Sequence, residues 1–235
     1  MIMSSDKEYI ETKRIVQGKA TMLPEFRTLA EWIDKTYDVK TINIIYDTID
    51  NGQRPRLQIC FEFEKEKSKF MNKGDFGMNK PKQQQIAYKF KELFKNPNLL
   101  KKSSFFDFFR PKENVKYMTD NIWVIYGAFE PIAKMEAGSN IPNEKIIELK
   151  ESLANVDLWE IHSMFSSATF FLHTDELVKK YKNSETLNIW TNKYFDLLDN
   201  YNEFGYFKRD SFSIYLDSKE NFDNNYQSNW YYYYK

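Results

Sequence analysis

Glycine and proline are scarce, at seven each in 235 residues, and cysteine occurs once. So little glycine and proline leaves no room for long flexible linkers, and the chain should be compact and rich in regular structure. A single cysteine, Cys60, excludes an internal disulfide and suits a reducing, cytoplasmic home. Isolated in a strand-like run, Cys60 reads as a small packing residue rather than a nucleophile. No apolar run is long enough to span a bilayer, and "MIMSSDKEYI" has no basic stretch followed by an apolar one, so neither a membrane span nor a leader is expected. G-x-G-x-x-G and G-x-S-x-G are absent, and "QGKAT" (17–21) lacks the rest of a phosphate loop. Nucleotide-binding and hydrolase-elbow chemistry are therefore unsupported.

Aromatic residues are plentiful, at 17%, with 20 Phe and 16 Tyr. Charge is balanced in total and uneven in place. Residues 65–116 carry 14 basic and 5 acidic side chains, whereas 117–235 carry 11 and 18. The basic middle reads as solvated surface. The acidic second half offers a face to a basic partner, because complementary potentials orient and speed encounter.

The clearest local structure is a hairpin. "INIIYDT" (42–48) and "LQICFEF" (57–63) flank Asn51-Gly52, the preferred pair for a type I′ turn. That turn sets Ile42 opposite Phe61, Ile44 opposite Ile59 and Tyr46 opposite Leu57. "LPEFRTLAEWIDK" before it reads as a helix with Phe26, Leu29, Ala30 and Ile33 inward. "QQQIAYKFKELFK" after it is another, with Ile86, Phe90 and Leu93 or Phe94 inward and Pro97 as its stop. A strand within 8–17 would complete β-α-β-β-α. From residue 119 the order recurs. It runs through a strand (121–129), a helix (141–155), two strands joined around Ser166-Ser167, a helix that Ser184 caps (184–201), and a strand at 211–216. The expected class is α+β with antiparallel sheet, as two ferredoxin-like β-α-β-β-α-β units or one continuous domain, divided 1–118 and 119–235. The four Phe of "SSFFDFFRP" (103–111) should fold back onto a core.

Three chemical readings compete. His162, His173 and Glu160 share a strand face away from Trp159 and Ile161, but their spacing suits ordinary surface histidines better than a metal site. Asp217-Ser218-Lys219 has the D-x-K form of a metal-dependent nuclease, with Asp210 or Glu203 as a second carboxylate. "ETK" at Glu11–Lys13 has the same form, and Ser218 with Glu220 reads equally as the start of a capped helical turn. Lysines of 65–102 and the C-terminal aromatics could serve single-stranded nucleic acid, yet they lie in different segments, and the aromatic one is acidic.

A fourth reading is a binder without catalytic activity or cofactor. Tyrosine and tryptophan dominate interface hot spots, and the acidic second half ends in "NNYQSNWYYYYK". In outline the chain is similar to bacterial immunity proteins, small cytoplasmic chains, often α+β. That similarity implies a protein partner, a basic toxin domain above all, neutralised by occupation. The expected surface is Tyr226, Trp230, Tyr232 and Tyr234 with Asp217, Glu220 and Asp223. The terminal run itself reads as a packed strand, with Trp230, Tyr232 and Tyr234 on one side and Tyr231 and Tyr233 on the other.

Overall fold

A computed structural model describes residues 4–74, 77–95 and 117–235. Pro97, the four-Phe segment 103–111 and most of the basic stretch beyond Lys95 lie outside the described residues. The fold is α+β, with two compact units, Met1–Ile132 and Ala133–Lys235, each built on one three-stranded mixed sheet.

The first unit opens with α1 (Lys7–Val16), where a strand is expected. The charge pattern explains the helix. Lys7 and Glu11 pair one turn apart at 3.5 Å, Glu8 sits in the first turn, and Lys13 and Arg14 sit in the last, all favourable to the helix dipole. Tyr9 and Thr12 form its buried face. Pro24–Phe26 forms a short 3₁₀ turn that leads into α2 (Arg27–Tyr37), with Phe26, Leu29, Ala30 and Ile33 buried as expected.

The hairpin is β1 (Thr41–Ile49) and β2 (Arg54–Phe61). Ile44 faces Ile59 and Tyr46 faces Leu57, in the expected register. Asn51 and Gly52 have φ of 55° and 84°, and Gln53 N–H donates to Asp50 O at 3.1 Å, which is the type I′ geometry. Past Asn43 a bulge shifts the ladder, so Thr41, not Ile42, faces Phe61. A short α3 (Glu64–Ser68) and α4 (Lys80–Lys95) follow, and Ile86, Phe90 and Leu93 of α4 are buried. The strand read from 121–129 is β3 (Trp123–Ala128). It pairs parallel with β2 and so belongs to the first unit. The helices α2 and α4 pack on one sheet face around Leu57, Ile59, Phe61 and Val124, while α1 covers the other.

The second unit takes up α5 (Phe129–Ser139) at its start, then α6 (Asn143–Leu153), β4 (Leu158–Met164) and β5 (Ser167–Leu172). The β4–β5 connection is Phe165-Ser166, one residue earlier than expected, and Phe165 has φ of 54°. Next come α7 (Asp175–Tyr181), α8 (Glu185–Asp199) and β6 (Tyr215–Ser218), which pairs parallel with β5. Ser184 does cap α8, accepting from Leu187 N–H at 3.1 Å. The buried stripe of α8 is Trp190, Tyr194, Phe195 and Leu198. The strand expected at 211–216 begins only at Tyr215, because Arg209–Ser211 forms a 3₁₀ turn. Finally α9 (Lys219–Tyr226) and α10 (Trp230–Tyr233) close the chain.

Among the described residues the two units repeat one plan: helix, antiparallel hairpin, two helices, a third strand parallel to the hairpin's second strand, and a helix directly after it. Even the irregularity recurs. Each first strand carries its bulge at its second residue, between Thr41 and Asn43 and between Leu158 and Glu160.

Candidate functional site

The C-terminal aromatic run packs against the β4–β5–β6 sheet on the face opposite α6 and α8. It does so as a helix, not a strand. Asn229 supplies the N-cap, its side chain accepting from Tyr231 N–H at 2.9 Å. Helical spacing then turns Trp230, Tyr233 and Tyr234 inward and leaves Tyr231 and Tyr232 out, at 66% and 46% exposure.

Trp230 is the centre of the inward group. It stacks on His162 (ring centroids 4.2 Å apart) and on Trp159 (6.2 Å, 9° between planes), and it meets Phe222 at 4.2 Å and Phe171 at 5.2 Å. Trp159 reaches this face because of the β4 bulge. Without it, alternation would put Trp159 opposite His162. His162 is accordingly half-buried in an aromatic cluster rather than an ordinary surface histidine. Burial lowers its pKa, against a smaller raising effect from Glu160. Its Nδ1 lies 2.7 Å from the Tyr234 hydroxyl, which donates to it in the tautomer that carries the proton on Nε2. His173 stands apart, exposed just beyond β5.

Polar groups knit the same layer. Tyr233 donates its hydroxyl to Asp217 Oδ2 at 2.5 Å, and Asn221 Nδ2 donates to both Asp217 oxygens at 2.9 and 3.1 Å. Burial and this bond push the Tyr233 pKa well up. Ser218 caps α9, accepting from Asn221 N–H at 2.8 Å, with Glu220 in the first turn as expected. Glu220 accepts from Asp175 N–H at 3.1 Å. Asp223 pairs with Lys219 and accepts from Ser228 Oγ at 2.7 Å, and the Lys219 contact holds its pKa below the ordinary carboxylate value. Tyr226 packs edge-on to Tyr233 at 4.9 Å.

The seven residues nominated from sequence thus fall in one region with different jobs. Trp230, Tyr234 and Asp217 hold the helix to the sheet. Glu220, Asp223 and Tyr226 brace α7, α9 and α10, and Tyr232 alone has its ring mostly outside. Tyr231, its exposed neighbour, escaped the strand-based reading. The signal for it was Asn229, a good N-cap directly before the run. The D-x-K pair is split: Asp217 serves Tyr233 and Asn221, while Lys219 pairs with Asp223 and lies over the Trp159 ring. Among the described residues no three His, Cys, Asp or Glu side chains gather as metal ligands.

The basic stretch is largely spoken for where it is described. Lys67 pairs with Glu64, Lys69 with Asp38, Lys89 with Glu92, and Lys91 and Lys95 with Asp120. Cys60 is buried beneath α1, beside Gln58 and Thr12, and burial pushes its thiol pKa up to about 12. No helix of the described residues is long and apolar enough to cross a membrane.

No family model matches the chain, and comparisons with curated proteins and with solved structures return no match.

Proposed function

We propose that this chain is a cytoplasmic protein-binding protein of immunity type, which acts by occupying a partner, a basic toxin domain being the partner that best fits. The observation that carries this reading is the exposed Tyr231–Tyr232 pair, with ring centroids 5.7 Å apart, on a helix whose other side is locked into the aromatic cluster. Tyrosine offers a large amphipathic contact with few rotors, and a rigid support lowers the entropy cost of using it. The net acidic charge of the unit that carries it supports a basic partner. The second unit has 11 basic and 16 acidic side chains, the first 23 and 18. The shared hairpin-and-parallel-strand plan is read as a reduced relative of the ferredoxin-like arrangement, with a helix where the first strand would stand.

The test is retrieval of a partner from the native cell by the tagged chain, followed by titration of that partner. Tyr231→Ala with Tyr232→Ala should weaken binding by roughly 30-fold or more, the scale of one hot-spot residue. An unchanged affinity, at an unchanged melting temperature, removes the aromatic pair from the interface and the reading with it. The nuclease alternative gains no observation from the geometry. It would return only if the chain cleaved nucleic acid and Asp217→Ala abolished the cleavage.

A further inference from the structure

The first unit carries a second feature that the aromatic face does not use. Strand β1 is an edge of its sheet, since the order is β1-β2-β3. Edge strands are usually guarded by lysine, proline or shortness. β1 runs nine residues, "TINIIYDTI", with neither lysine nor proline, and its one charge, Asp47, is bound by Arg56. Its hydrogen-bond phase follows from one residue across the ladder. Thr48 faces Pro55, which has no N–H, so that pair cannot be a hydrogen-bonded one. The bonded positions alternate, and fall on Asn43, Ile45, Asp47 and Ile49. Ile44, Tyr46 and Thr48 therefore point their N–H and C=O groups away from β2, toward an edge that no strand of the described residues pairs with.

A groove of about 430 Å³ runs along that edge, and residues 43–47 line it in unbroken succession. On one side α1 supplies Lys7, Glu11, Arg14 and Ile15; the segment leading from α1 toward α2 supplies Thr21 and Leu23. Five residues of strand span roughly 17 Å. Walls of this kind admit a single extended segment. A second sheet edge carrying its own α1 would run into the helix wall. The charges choose among segments. Lys7 and Glu11 pair with each other and Glu8, which also lines the groove, pairs with Arg56, whereas among the described residues the exposed guanidinium of Arg14 has no acidic partner.

We infer that the β1 edge groove binds an extended segment of a partner protein by strand addition, with a carboxylate of that segment at Arg14. The mode needs only main-chain pairing at Ile44 and Tyr46, apolar contact with Ile15 and Leu23, and one ion pair. This rests on the protein-binding reading and gives it a second, separate point of attachment.

The probe is a displayed library of random twelve-residue peptides, panned on the full chain. Enriched peptides should alternate apolar residues and carry Asp or Glu toward one end, and should protect the amides of 44 and 46 from hydrogen exchange. Thr21→Trp, a change at an exposed position that fills the groove, should weaken them at least tenfold with no loss of melting temperature. Arg14→Glu should weaken them similarly, and a Lys in place of the peptide's acidic residue should restore binding to that variant alone. Failure to enrich such peptides, or enrichment of peptides indifferent to Thr21→Trp and Arg14→Glu, overturns the proposal. A partner that still binds through Tyr231 and Tyr232 while ignoring Thr21→Trp would remove this groove and leave the protein-binding reading standing.

Discussion

Trp230→Ala tests whether the C-terminal helix is structural cement as well as display. The Trp230 ring is mostly buried and touches His162, Trp159, Phe171, Phe222, Tyr233 and Tyr234. An aromatic side chain buries about 150–250 Å² when fully covered. For a largely covered ring, about 120 Å² lost at ~25 cal/mol per Å² gives about 3 kcal/mol. That agrees with the range of about 3–5 kcal/mol for deleting a large core aromatic, at its lower end because the site lies at a sheet's outer layer. For a chain of this size the melting temperature should fall by roughly 6–12 °C. Tyr231→Ala, one residue on and pointing outward, should change stability by less than about 0.5 kcal/mol. The assay is thermal unfolding followed by far-ultraviolet circular dichroism, with both variants beside the parent. A drop below 2 °C for Trp230→Ala, or equal drops for the two, would refute the helical assignment of inward and outward residues.

The remaining predictions concern the same unit and the buried thiol. The His162 pKa is depressed below its ordinary 6.5, so the folded state prefers the neutral ring. Its contribution is therefore complete above about pH 6.5 and is lost as pH falls through the lowered folded value. The groups facing it are Glu160 of its own strand, Trp230 and Tyr234 of the terminal helix, and Asp217 of β6 beyond Tyr234. His162→Gln should flatten that part of the stability profile between pH 7 and 5, and a profile identical to the parent's would dismiss the effect. Gly138→Ala would place a Cβ 1.9 Å from Phe165 O, a backbone atom that cannot swing aside. It should cost about 2 kcal/mol despite the better helix propensity of alanine, as read from urea unfolding. Cys60 should react with a thiol reagent only as fast as the chain opens, so labelling at pH 8 should accelerate in step with added denaturant; rapid labelling of the folded chain would contradict its burial.

Much of the fold was legible where local chemistry settles local structure. Asn51-Gly52 fixed the hairpin and its register, and 3.6-residue spacing picked out Leu29, Ile33, Ile86 and Phe90 as inward. What failed was either ambiguous locally or decided at a distance. The strand within 8–17 was expected only because it would complete the β-α-β-β-α order; the residues 7–16 do not alternate, and their charge pairing favours a helix. β3 looks like any apolar strand, and nothing near it says that its neighbour is β2, whose paired residues lie 67 positions earlier. In the tyrosine run, high β-propensity outweighed a single capping asparagine, so the residues were grouped by twos instead of threes and fours. That one error exchanged Tyr232 and Tyr233 between the side shared with Trp230 and Tyr234 and the side away from it. The bulge at Trp159 was equally invisible, and it decides which face meets Trp230.

The repeated plan of the two units also sets an order of assembly. Each hairpin closes through a two- to four-residue turn, a microsecond event. Each sheet's third strand must instead wait for its parallel partner across two helices and their connections, a closure of tens of residues. Until β3 or β6 docks, the inner edge of β2 or β5 stands open, and Phe61 or Leu172 is covered from one side only. A nascent chain therefore exposes its most strand-prone edges during the slowest step of folding. In the second unit that exposure ends only when β6 arrives, with the aromatic terminus directly behind it to seal the outer face of the sheet.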